Sequence, residues 1–83
     1  MDFAAVVLKH GEETCKAALV RLVGRIRGII HARTGAAVNG VLVLTAQQLQ
    51  EDALSVASVL EDFPFSVEEK LAVINKAWEI VGP

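Results

Sequence analysis

A chain of 83 residues holds one domain, near the size at which a single core is barely sufficient. With 53% hydrophobic residues and a net charge of −2, it is too apolar and too weakly charged for a disordered segment. Its one cysteine excludes an internal disulfide, and Arg21, Arg25 and Arg27 break the best candidate for the roughly 18 apolar residues of a membrane span.

The N-terminal run Met1 to His10 has no basic lead before its apolar residues, so it does not read as a secretory signal. A cytoplasmic protein is expected. Charge is unevenly divided along the chain. Residues 1–40 carry six Lys or Arg against three acids, and residues 41–83 carry two lysines against seven acids. The halves complement one another, within a chain or between chains, and no net drive toward DNA is expected.

The first element reads as a helix over about residues 2–34. On a helical wheel, Ala4, Leu8, Gly11, Cys15, Ala18, Leu19, Leu22, Ile26, Ile29 and Ile30 fall on one arc. The stripe keeps its phase throughout, which favours one unbroken helix. A break at Gly11 is the lesser alternative, because glycine weakens a helix interior by about 1 kcal/mol relative to alanine. Arg33 suits the negative helix end, and Gly35 suits the stop.

The middle segment reads in more than one way. Asn39-Gly40 between apolar residues is a hairpin signal. The helical phase of Val38, Val41, Leu42, Leu49, Ala53, Val56, Val59 and Leu60 instead favours a helix over about residues 37–61. A third reading keeps residues 36–44 extended and starts the helix at Thr45. There Thr45 and Gln48 form a capping box, with Leu44 and Leu49 as a hydrophobic staple.

The last element is the plainest. Pro64 ends what precedes it, Ser66 is an N-cap, and Glu69 closes a capping box. A helix is expected over residues 67–81. Val67, Leu71, Ile74, Trp78 and Val81 share its apolar face, with Trp78 supplying core bulk or, alternatively, an interface anchor. The expected fold is therefore all-α, with three helices of unequal length in one domain. An unbroken first helix would be about 48 Å long, and its free end would need cover from elsewhere.

The stretch from Arg21 to Arg33 raises a nucleic-acid reading. On the wheel, Arg21 and Arg25 lie to one side of the apolar arc and Arg27 to the other, so the arginines flank a buried stripe instead of forming a ridge. A helix-turn-helix would need polar side chains at its reading positions. Here those positions are Ala37, Val38, Leu42 and Val43, with only Asn39 able to hydrogen-bond. Nucleic-acid contact through Arg21 to Arg33 is thus the alternative reading, and membrane binding is not expected.

Catalytic chemistry is sparse. His10 and His31 lie too far apart on one helix to share a metal, and each reads as a solvated surface residue. Cys15 sits on the apolar arc and reads as a small core residue. The acids occur as sequence neighbours, which point about 100° apart on a helix and do not share a site. No phosphate loop, nucleophile elbow or paired-cysteine motif occurs. No enzyme activity, cofactor or metal is expected.

Apolar surface, by contrast, is plentiful. Ala17, Gly24 and Gly28 fall together on the face away from the main stripe of the first helix, with spacing that admits close helix approach. Val43 and Leu54 lie off the arc of the middle helix. Val73 and Ile80 point away from the Leu71–Trp78 face of the last. Together with Trp78, these residues predict an interface. The sequence is read as a small non-enzymatic protein-interaction module, such as an adaptor, inhibitor or assembly factor, pairing with a second copy or another protein.

Overall fold

A computed structural model describes residues 1–33, 37–38, 41–42 and 46–82. Its helices are α1 (Phe3–His10), α2 (Glu12–Arg33), α3 (Ala46–Ser58) and α4 (Val67–Val81). Between α2 and α3 lie two paired dipeptides, β1 (Ala37–Val38) and β2 (Val41–Leu42). The class is all-α, with four helices among the described residues where the sequence suggested three.

The first correction is at Gly11. The expected helix over 2–34 is two helices, because Gly11 takes φ +90° and ψ 156°, a region open to glycine and costly for other residues. The Gly11 N–H donates to the Val7 carbonyl at 2.8 Å, and its own carbonyl accepts from the Cys15 N–H at 3.3 Å. The bend is therefore confined to the dihedrals of one residue. At the other end of α1 the Asp2 carboxylate accepts from the Ala5 N–H at 3.0 Å, a standard N-cap.

The bend changes which face of α1 is buried. Val6 becomes fully buried, whereas Leu8, expected on the inner arc, is 88% exposed. Ala4 is exposed as well. Beyond the bend the expected stripe holds through its middle: Cys15, Ala18, Leu22 and Ile26 are buried along α2, whereas Leu19 and Ile29 are half-buried and Ile30, expected on the inner arc, is exposed.

The second correction concerns the middle segment. Ala37 pairs with Leu42 and Val38 with Val41 in antiparallel register, so the expected helix over 37–61 does not hold. The pairing brackets the Asn39-Gly40 dipeptide, as the hairpin reading required. α3 begins at Ala46, close to the later start. Val43, Thr45 and Gly35 lie outside the described residues. The far end of α3 tightens, with N–H groups of Val59, Leu60 and Glu61 donating to carbonyls three residues back, as is common at helix ends.

The third correction is the face of α4. The capping box forms as expected: the Ser66 hydroxyl accepts from the Glu69 N–H, and the Glu69 carboxylate accepts from the Ser66 N–H at 2.7 Å. Its buried residues are Glu69, Ala72, Val73 and Ala77, however, and not the Leu71–Trp78 face. Small residues here meet Cys15 and Ala18 of α2 within the same core, which lets the two helices lie close. The core also takes in Val56, Leu60 and Phe65. Each fully buried large side chain, such as Leu22, Ile26, Leu60 or Val73, is worth about 1.5–3 kcal/mol.

The body measures 42 × 21 × 19 Å, with a radius of gyration of 13.7 Å. A compact domain of this length has about 11.8 Å.

Candidate functional site

The face that α4 turns away from its own core forms one wall of a groove. Ile29 and Arg33 of α2, Leu49, Asp52, Ala53, Val56 and Ala57 of α3, and Leu71, Ile74 and Trp78 of α4 line it. The groove encloses about 420 Å³. Leu49, Leu71 and Trp78 are each about half exposed, at 55%, 56% and 47%. Val56 and Ile74 are more deeply set and form its floor.

Its polar element is the Arg33–Asp52 ion pair. The guanidinium donates to both carboxylate oxygens, at 2.9 Å and 3.3 Å. That two-pronged pairing raises the Arg33 pKa, mainly through the hydrogen bond to Asp52. The pair ties the end of α2 to α3 at the groove edge. The cleft thus combines an apolar lining with one ion pair at its edge.

A second cleft, of about 670 Å³, lies between α2 and α3. Arg21, Gly24, Arg25, Gly28, Ala32, Ser55 and Asp62 are among its lining residues. Both basic side chains have partners in the chain. Arg21 lies over the Phe63 ring at 5.3 Å, and Arg25 donates to the Ser55 hydroxyl at 3.1 Å. A side chain added at Gly24 or Gly28 would meet nothing within 4 Å, so neither glycine is required by packing within this subunit.

The buried polar centre is at the other end of the molecule, and sequence reasoning missed half of it. His10 Nε2 lies 2.7 Å from a Glu69 carboxylate oxygen, and their side chains are only 12% and 2% exposed. His10 is therefore no solvated surface residue. Its ring also meets Phe65 edge-on at 5.0 Å. Lys9 approaches the same oxygen at 3.6 Å. The backbone hydrogen bond from Ser66, with the His10 contact, holds the Glu69 carboxyl at about 2, against the ordinary 4.5. The signal that could have found the pair was the helix-ending position of His10 and the capping role of Glu69. Nothing in the sequence joined them, because the contact spans the Gly11 bend.

Cys15 is buried, and its thiol is pushed up, first by that burial and then by the nearby Glu69 charge. It is a core residue, as read from the sequence. Among the described residues, no group of three or more His, Cys, Asp or Glu side chains is placed to hold a metal. No helix among them is long and apolar enough to cross a membrane.

The expected interface residues divide sharply. Val73 is fully buried, so it cannot contribute to a docking surface. It turns inward because the small-residue side of α4 is the side that meets α2. Trp78 lines the first groove, where it is not the core bulk expected of it. Gly24 and Gly28 line the α2–α3 cleft. Ile80, 46% exposed, sits with Val20 and Gly24 in a separate patch. Leu54 is 65% exposed and Ala17 is exposed, but neither lines these clefts. Val43 lies outside the described residues. The structure thus brings Trp78 together with Leu71 and Leu49, which the sequence had assigned to the subunit's own packing. Comparison with protein-family models, curated proteins and solved structures finds no match.

Proposed function

We propose that this chain is a non-enzymatic helical protein-interaction module that pairs with a second copy through the groove between α2, α3 and α4. The observation that carries the reading is the half-exposed Trp78–Leu71–Leu49 cluster over an apolar floor.

Half-exposed Leu49, Leu71 and Trp78 are the kind of aliphatic and aromatic anchors that supply binding energy when a partner buries them. The opposite charge balance of the two halves, part of it already met within the chain by Arg33 and Asp52, also suits contact with a second copy.

A cytoplasmic setting belongs to this reading, since the one thiol is buried and has no partner cysteine in the chain. Nucleic-acid binding is the weaker reading. Arg33 is neutralised by Asp52, Arg21 lies over Phe63, and Arg25 is tied to Ser55.

Light scattering tests the pairing. Wild-type protein at tens to hundreds of micromolar should have twice the subunit mass, with the emission of its sole tryptophan shifted to the blue. Leu71→Asp should return it to a monomer while leaving helicity intact. A wild-type monomer throughout that range, or a dimer indifferent to Leu71→Asp, overturns the proposal.

A further inference from the structure

The Gly11 bend holds an arm whose other conformation is already written in the sequence. The apolar arc of α2 continues without loss of phase through Gly11 to Leu8 and Ala4. Such continuity has no use in the bent form, where Leu8 is 88% exposed. The bend depends on one residue at positive φ, and a side chain there would meet no atom within 4 Å. Space therefore does not demand glycine at this position; backbone conformation does.

The seat of the arm is built to hold and release. Val6 enters the core and His10 meets Glu69. Beside them, a cleft of about 860 Å³ runs between α1 and α4, lined by Phe3, Ala4, Val7, Leu8, Ala72 and Lys76 among others. One side of the junction between arm and body is therefore open, while Val6 and His10 hold the other.

We propose that α1 is an exchangeable arm. Straightening at Gly11 fuses α1 and α2 into one helix and delivers α1 into the vacated seat of a second copy, which returns its own α1 in kind. Each Val6 and each His10 recovers its contacts, now between chains, so the exchange costs little besides association itself. In the straight helix the Val6 face turns away from the Leu22 stripe, toward the partner. Leu8 comes into line with Cys15 and Leu22. The exchange uses the side of α4 that carries Ala72 and Lys76, not the Leu71–Trp78 side, and so does not rest on the groove.

The test is made in a Leu71→Asp background, which silences groove pairing and separates the two ideas. Gly11→Ala favours the straight helix and strains the bend. It should raise the dimer association constant at least about 100-fold, because both effects act at each of two hinges. A chemically assembled chain with D-alanine at position 11 prefers positive φ and should lose the dimer that glycine permits at millimolar concentration. A folded, monomeric Gly11→Ala chain overturns the proposal. Where Gly11→Ala does not fold, the D-alanine chain decides: dimer content equal to that with glycine overturns exchange, and its loss supports it.

Discussion

α2 and α4 carry equally legible apolar stripes and use them in opposite ways. On α2 the bulky residues at the middle of the stripe face inward, and Leu22 and Ile26 are fully buried. On α4 the bulky residues Leu71 and Trp78 remain half exposed, while Ala72, Val73 and Ala77 face the core. A helical wheel ranks faces by hydrophobicity. It does not say which face the chain's own core can reach. Where two helices lie close, small residues win the inner side and larger ones are displaced to the rim. Displaced bulk of this kind is the feature on which the proposed pairing rests.

The sharpest way to break the comparison is to truncate leucines on each side of it. Leu22→Ala should cost about 2–5 kcal/mol by leaving a cavity at a fully buried site. Leu71→Ala should change the stability of the isolated subunit by less than about 0.5 kcal/mol. Urea denaturation at low protein concentration measures both. Equal losses would mean that the outward face of α4 belongs to the core after all.

Acid titration sharpens the same contrast at the N-terminus of α4, where a charged residue sits on the inner side. The folded pKa of Glu69, about 2, lies below its ordinary 4.5. Its ionised form therefore stabilises the fold above about pH 4.5, and that contribution is lost as pH falls toward 2. Glu69→Gln should melt below wild type at pH 7, and the gap should close across this window. A gap that stays constant down to pH 2 would show that the carboxylate charge is not what the fold uses.

The smallest expected effect is at the groove edge. Arg33→Ala removes a partly exposed ion pair and should cost no more than about 1 kcal/mol. The loss should shrink in high salt, as thermal melts with and without added sodium chloride would show.

Much of the fold is legible in the sequence. The α2 stripe, the Ser66–Glu69 capping box and the buried Cys15 follow from spacing and side-chain chemistry alone. The Gly11 break was visible only as an alternative, because the stripe keeps phase across it and the benefit of bending comes from contacts made 59 residues away by His10 and Glu69. The hairpin pairing was likewise visible in Asn39-Gly40, but it competed with a helical phase that the neighbouring valines and leucines also satisfy. At the candidate site, Trp78 is exposed at the groove and is not core bulk, the first of its two readings, and Val73 was expected to have an exposure it does not have. Both misplacements come from assuming that the most apolar side of α4 must be its inner one.

The Glu69 carboxylate accepts from the first turn of α4 and, through its other oxygen, meets the last residue of α1. One side chain therefore makes two distant helix ends thermodynamically interdependent. Fraying of α4 at Ser66 should loosen the N-terminal arm, and release of that arm should unsettle the start of α4. Amide exchange at the two ends should accordingly rise and fall in step, as if they formed a single cooperative unit.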